Sequence, residues 1–149
     1  MKIVVTVKQK LALKTASQLL KKYWNQTLPV PVKEIISKEN IDIVYVKDTP
    51  VYGKWHSNSE SIILPPNMNP KEEKKSLVRC LGQACLVQDI NVFIMALLLP
   101  IEPFIDTVVN KKISLDSAAE IFDCSPDICK RWVKTLKEFK VIAKNAENF

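Results

Sequence analysis

The sequence has few of the residues on which many enzyme sites depend. Only two glycines occur among its 149 residues, Gly53 and Gly82, so neither a Gly-x-Gly-x-x-Gly nucleotide-binding motif nor a phosphate-binding P-loop is present. The single histidine, His56, has no second histidine with which to share a transition metal and no evident serine or cysteine partner. These absences argue against the common nucleotide-binding enzymes, and they predict that the protein uses no metal and no cofactor.

Long apolar segments are also lacking. The opening "IVVTV" is too short for the apolar region of a signal peptide and is followed at once by Lys8. In the most apolar stretch, residues 79–100, the polar residues Gln88, Asp89 and Asn91 leave no 18-residue apolar window. The sequence therefore predicts a cytoplasmic protein without a membrane span or a membrane partner.

Four cysteines occur as two pairs, Cys80 with Cys85 and Cys124 with Cys129. Zinc sites prefer spacings of two to four residues, whereas both pairs are five apart and would point to different faces of a helix. We therefore predict reduced thiols that are buried as small hydrophobic side chains, as is usual in a reducing compartment.

The composition is that of a globular domain, with 47% hydrophobic and 26% charged residues. The net charge of +6 is concentrated near the N-terminus. Lysines that contribute to it there are Lys8, Lys10, Lys14, Lys21 and Lys22. Such a surface either attracts an acidic partner or nucleic acid, or is simply the solvated face of a helix.

Hydrophobic periodicity predicts a mainly helical α+β domain with a small three-stranded sheet. "MKIVVTV" is a candidate strand, and residues 11–24 have the period of an amphipathic helix. A short helix is expected with Pro31 in its first turn, followed by strands in "IDIVYVKD", "VYGKWHS" and "SESIILPP" that form a meander.

A strong helix start follows the predicted sheet. Asn69 is a good N-cap, Pro70 suits the first helical position, and Glu72 is placed as in a capping box. The helix is expected to reach at least Leu86, and the next apolar residues are helical as far as Pro100. The pattern leaves open whether residues 70–99 form one helix or break near 83–88.

Two C-terminal helices are predicted in "SLDSAAEIF" and "SPDICKRWVKTLKEF", with Ser125 as the cap of the second. Their order and short turn are typical of a helix-turn-helix, which divides the chain into residues 1–108 and 109–149. Four acids around the turn argue against DNA binding there, because the start of a recognition helix meets phosphates. They are Asp116, Glu120, Asp123 and Asp127, whereas the basic Lys130, Arg131 and Lys134 come later.

The order of these elements resembles the ImmA/IrrE-type metallopeptidase family over residues 12–139. "DINVFIMALLLP" is similar to the family's Glu-Ala-Asn-x-Phe-Ala-x-x-Leu-Leu-Met-Pro helix, and "AAEIFDCSPDICKRWV" is similar to its C-terminal helix pair. The resemblance implies a zincin-like helical domain. It also implies a phage or mobile-element setting and a repressor-like partner.

The resemblance places "RCLGQ" at the family's His-Glu-x-x-His zinc motif. Arg79 and Gln83 then stand at two ligand positions, Cys80 at the general base and Asp89 at the third ligand. Arg79 has no lone pair for a metal, Gln83 is a poor ligand, and Cys80 has no visible activating base. We expect no catalytic residues and only a vestigial site, in which an Arg79–Asp89 ion pair replaces the metal.

The favoured hypothesis is a non-enzymatic protein that binds a protein partner such as a repressor or regulator. Binding is expected at the former substrate groove and at the strand edge of Gly53, Trp55 and His56, since peptidases often hold substrates by strand addition. One alternative is a DNA-binding transcriptional regulator that uses the C-terminal helix pair and its basic residues. A residual hydrolase and a structural subunit are further alternatives, and the sequence does not indicate the oligomeric state.

Overall fold

Helix α1 (Val7–Tyr23) is the first element in the computed structural model, which describes residues 5–142. A capping box begins it: the Thr6 side chain accepts from the Gln9 N–H, and the Gln9 side chain accepts from the Thr6 N–H. The predicted N-terminal strand is therefore wrong for residues 5–7, because this box starts the helix at Val7. Residues 1–4, the rest of that prediction, lie outside the described part. The amphipathic helix predicted over residues 11–24 is confirmed.

Helix α2 (Val32–Lys38) follows a turn and has its N-cap at Pro31. Its inward face is the predicted one, since Val32, Ile35 and Ile36 are buried. The helix contacts both α1 and the long helix that follows the sheet. It therefore covers one side of the core.

The predicted three-stranded sheet is present, but its order differs from a meander. Strands β1 (Asp42–Tyr45), β2 (Lys54–His56) and β3 (Ser61–Leu64) are arranged β1-β3-β2, with β1 parallel and β2 antiparallel to β3. The most apolar strand, β3, takes the centre because its side chains are mostly buried, whereas the side chains of both neighbours are exposed or half-buried. Strand β2 is consequently an edge strand.

The long apolar stretch forms two helices, α3 (Pro70–Ala84) and α4 (Ile90–Leu98). The Asn69 side chain caps α3 by accepting from the Lys71 N–H at 3.0 Å, rather than through the predicted box with Glu72. The structure settles the open question of continuity, because the chain turns over residues 85–89 and Leu86 takes a left-handed backbone with φ 60°.

Gly82 lets α3 and α4 pack closely after this turn. A Cβ on Gly82 would lie 2.8 Å from Phe93 Cδ2 and 3.0 Å from Ile90 Cδ1. Helix α4 is the centre of the core, with every side chain from Val92 to Leu98 buried. The prediction of a mainly helical α+β fold is confirmed.

The C-terminal part begins with α5 (Ile101–Ile105), which continues into a π-helical segment (Asp106–Asn110). The predicted domain boundary at 108/109 falls inside this segment. The two predicted helices are confirmed as α6 (Leu115–Phe122) and α7 (Pro126–Glu138), with the Ser125 hydroxyl accepting from the Ile128 N–H. Trp132 Nε1 donates to the Leu99 carbonyl at 2.9 Å and so ties α7 to the end of α4.

Within residues 5–142, no single helix is long and apolar enough to cross a membrane. The segments Ile90–Leu98 and Ile101–Asn110 reach that length and hydropathy only as a pair bent by 68°.

Candidate functional site

Arg79 lies on α3 beside the segment that leads into β2. Its guanidinium carbon is 5.2 Å from the centroid of the Tyr52 ring, a cation–π contact. Its Nη1 atom is buried and has no hydrogen-bond partner. Within the described residues, Arg79 also forms no ion pair with a carboxylate. A buried cationic nitrogen therefore lacks an acceptor at this point.

The predicted Arg79–Asp89 ion pair is absent from the part of the chain that the structure describes. Asp89 is instead the N-cap of α4, and its side chain accepts from the Val92 N–H at 3.1 Å. The free N–H groups and partial positive charge of a helix start favour a carboxylate there. The Asp89 side chain therefore caps α4 and does not pair with Arg79. Gln83 is exposed to solvent.

Cys80 is buried on α3, with only 1% of its surface exposed. This burial raises the pKa of the Cys80 thiol to about 11, although the neighbouring Arg79 charge acts in the opposite direction. At neutral pH the group is therefore a protonated thiol that packs like a small hydrophobic side chain. It is not poised as a nucleophile.

The four cysteines are free thiols, as predicted, and Cys85 is the half-buried one among them. The predicted separation of Cys124 and Cys129 is wrong, because their sulfur atoms lie 3.7 Å apart. Cys124 precedes α7 in a turn that begins with the left-handed Asp123, so helical spacing does not apply to it. Over residues 5–142, no three or more His, Cys, Asp or Glu side chains are grouped as metal ligands would be.

Three residues predicted to bind a partner share the β2 edge, which we define as residues 53–56. Gly53 has φ +68°, and a Cβ there would lie 2.4 Å from Leu64 Cδ2 and 2.9 Å from the Ile63 carbonyl oxygen. Trp55 and His56 are half-buried, and His56 Nδ1 lies 2.9 Å from Ser59 Oγ, which holds the ring against its own hairpin. The edge is therefore a constrained strand rather than a loose loop.

Tyr52 is a site residue that the sequence reasoning missed. Its side chain is 66% exposed, yet its ring contacts the Arg79 guanidinium. The structure thereby joins Arg79 of the predicted vestigial site to the β2 edge, whereas it separates Arg79 from Asp89. The signal in the sequence was that Tyr52 precedes Gly53, because a glycine there is typical of a turn that leads into a strand.

The predicted basic residues Lys130, Arg131 and Lys134 are all exposed on α7. Arg131 is paired with Asp127 at 3.4 Å within the same helix. Arg131 and Lys134 border a groove of about 250 Å³ between α7 and α4, together with Lys75 of α3. This basic α7 groove has apolar side chains in its lining, among them Ile94, Met95 and Ile128.

Two of the four acids near the helix pair are paired with lysines of α3. Lys71 Nζ lies 3.3 Å from a Glu120 carboxylate oxygen, and Lys74 Nζ lies 3.1 Å from an Asp123 oxygen. Pairing reduces the local negative charge that argued against an anionic partner. Asp127 still stands in the first turn of α7.

Comparison with known protein families and with curated proteins finds no match to this sequence. Among solved structures, a Mycobacterium tuberculosis transcriptional regulator has a similar fold, with a TM-score of 0.68 at 12% sequence identity. The similarity covers 93% of this chain and 49% of that one, so this chain spans about half the length of that structure. At this identity, the similarity concerns the fold alone.

Proposed function

We propose that the protein is a non-catalytic relative of the ImmA/IrrE-type metallopeptidases that binds a regulatory protein in the cytoplasm. In this proposal a phage or another mobile element encodes it, and the partner is repressor-like. The observation that carries the binding function is the exposed β2 edge beside the unpaired Arg79 guanidinium.

The residues at the former catalytic positions support a non-catalytic role. Asp89 caps α4, Cys80 is a buried thiol and Gln83 points into solvent. A general base or nucleophile needs both an accessible position and a suitable pKa, and Cys80 meets neither condition.

The sheet supports binding of an extended peptide. An edge strand leaves backbone N–H and C=O groups unpaired, and a peptide can add to it as a further strand. The segment before β2 also exposes apolar surface, since Val51 is 72% exposed. On the opposite edge strand, β1, the Tyr45 hydroxyl donates to Glu73 of α3.

Hydrogen–deuterium exchange tests this proposal directly. Peptides of about eight residues, selected from a random library on the full-length protein, should slow exchange of the amides in β2 (Lys54–His56). We expect at least about tenfold slowing, which corresponds to about 1.4 kcal/mol of protection. The amides of β1 (Asp42–Tyr45) are the internal control and should keep their rates.

Two outcomes would contradict strand addition at β2. One is a library that yields no binding peptide at all. The other is a bound peptide that protects β1 or α7 and leaves β2 unchanged.

DNA-binding regulation is the second candidate function. It is favoured by the fold similarity to a protein named a transcriptional regulator and by the exposed Lys130, Arg131 and Lys134 on α7. Pairing of Glu120 and Asp123 with lysines also makes this surface less acidic than the sequence suggests. The Asp127–Arg131 pair argues against DNA binding. Asp127 places an acid at the start of α7, and the ion pair occupies Arg131, one of the three cations.

Fluorescence polarisation with a labelled DNA duplex separates the two functions. The protein-binding proposal expects no binding that depends on α7, even at about 50 mM salt, where phosphate contacts are strong. Replacing Lys130, Arg131 and Lys134 by alanine should therefore change nothing more than the same replacement of three exposed α1 lysines. Those matched control residues are Lys8, Lys10 and Lys14. Salt-sensitive binding lost only with the α7 variant would establish the DNA-binding function instead.

A further inference from the structure

The Arg79 guanidinium has a buried hydrogen-bond donor without an acceptor. Arginine carries five N–H donors and no acceptor, and buried polar groups in folded proteins are almost always hydrogen-bonded. Nη1 of Arg79 is buried without a partner. The Tyr52 ring, whose centroid lies 5.2 Å from the guanidinium carbon, offers at most a weak acceptor and does not replace an oxygen partner.

Three other charged side chains of α3 pair with opposite charges, whereas Glu72 and Lys75 form no ion pair among the described residues. Lys71 pairs with Glu120, Glu73 with Lys33, and the largely buried Lys74 with Asp123. Arg79 differs from all of these side chains because one of its nitrogens is buried without a hydrogen-bond partner. The forked donors of a guanidinium fit the two oxygens of a carboxylate. The group that complements Arg79 is therefore a carboxylate.

Tyr52 fixes the position of this group relative to the sheet. It precedes Gly53, where the β2 edge begins, and it contacts Arg79 directly. A peptide added along β2 must pass this point, and the edge holds the peptide by its backbone. A carboxylate that reaches Arg79 is then a side chain at one register position, because side chains alternate between the two faces of a strand.

We propose that Arg79 is a carboxylate-recognition residue that pairs with one glutamate or aspartate side chain of an extended peptide bound along β2. This inference rests on the proposed function, since it assumes a peptide at the β2 edge, and it names the partner as an acidic extended segment. Tyr52 positions the guanidinium through the cation–π contact. The pair forms in a partly buried place, where it is screened less than a surface ion pair.

Selection from the random peptide library should show this preference. With the wild-type protein, one peptide position is expected to be enriched in glutamate or aspartate. The enrichment should disappear with Arg79→Gln and weaken with Arg79→Lys, whose ammonium lacks the fork. Lys10→Gln removes one positive charge from exposed α1 and should leave the preference intact.

A synthetic peptide from the selection provides the quantitative test. Its dissociation constant for the wild-type protein, measured by fluorescence anisotropy, should rise about 10- to 100-fold when its acidic residue is replaced by the matching amide. For Arg79→Gln the two peptides should bind within about twofold of each other. This loss of coupling is a readout that a merely structural arginine would not give.

Thermal unfolding shows whether the variants remain folded. Because Arg79→Met keeps an apolar stem and removes the unmet donors, we expect its melting temperature to equal or exceed that of the wild type. A marked decrease would mean that the fold itself satisfies the guanidinium, and it would overturn the inference. Arg79→Met also serves in the peptide measurements in place of Arg79→Gln if that variant does not fold.

The remaining outcomes separate this inference from the proposed function. Peptides that protect β2 without any acidic preference, or with a preference unchanged by Arg79→Gln, would overturn the role of Arg79 and leave strand addition standing. A library that yields no binding peptide would overturn both.

Discussion

Trp132→Ala is expected to lower the free energy of unfolding by about 3–5 kcal/mol, the usual range for removing a large buried side chain. The indole is fully buried, and its Nε1 donates to the Leu99 carbonyl at 2.9 Å. The substitution therefore leaves both a cavity and an unpaired carbonyl where α7 meets α4. Since single domains are stable by only about 5–15 kcal/mol, urea unfolding followed by far-UV circular dichroism should show a large shift.

Trp132→Phe separates the two contributions. Phenylalanine fills much of the same volume but cannot donate to Leu99, so we expect a loss of about 1–3 kcal/mol, the range for an unsatisfied buried group. Equal losses for Trp132→Phe and Trp132→Ala would show that the hydrogen bond dominates. A loss below about 0.5 kcal/mol for Trp132→Ala, as at surface positions, would contradict the central place of this residue.

Gly53→Ala is expected to destabilise the protein by about 2–5 kcal/mol. A left-handed backbone contributes about 1–2 kcal/mol of this for a residue with a Cβ, and overpacking contributes about 1–3 kcal/mol. The new Cβ would meet the Ile63 carbonyl oxygen at 2.9 Å, and a backbone atom can yield only if β2 moves away from β3. Peptide binding should therefore weaken together with stability, and exchange of the β2 amides should accelerate.

Gly82→Ala is the matched control for this prediction. Its nearest obstacles are side-chain atoms of Phe93 and Ile90, so overpacking costs about 1–3 kcal/mol. The preference of a helix for alanine over glycine offsets about 1 kcal/mol of that cost, and the backbone of Gly82 is not left-handed. We expect a smaller loss of stability and unchanged exchange in β2. A Gly53→Ala variant that is as stable as Gly82→Ala would show that the β2 edge is not constrained as described.

The starts of α3 and α7 were predictable from the sequence because their signals are local. Asn69 followed by Pro70, and Ser125 followed by Pro126, place a cap and a proline at adjacent positions, and both helices begin there. Each cap needs only the next two or three residues of the chain. No tertiary contact had to be known.

The strand order and the helix break could not be read in this way. The sequence of β3 is compatible both with a β1-β2-β3 meander and with the observed order β1-β3-β2. Which order forms depends on which strand the helices bury. The turn over residues 85–89 contains neither glycine nor proline, and an ordinary leucine, Leu86, takes the left-handed conformation. Packing of α3 against α4 determines that turn, and a one-dimensional pattern does not show it.

At the candidate site, the sequence likewise indicated which residue types matter but did not indicate which residues they contact. Residue types at the predicted vestigial site already indicated an unusual arginine, but they suggested Asp89 as its partner. Asp89 instead follows the local demand of a helix start, and Arg79 is left beside Tyr52. Tyr52 carries no pattern of its own, because an exposed tyrosine in a loop gains a role only from its three-dimensional neighbour.

The turn between α3 and α4 also determines where this chain can change in length. Leu86 is 86% exposed at its tip, while the ends are fastened by the Val87 N–H donating to the Gly82 carbonyl and by the Asp89 cap. Residues inserted at Leu86 would enter solvent directly, and each doubling of a flexible loop costs only about 0.6 kcal/mol. The domain can therefore accept an inserted surface loop here while its two central helices keep their packing.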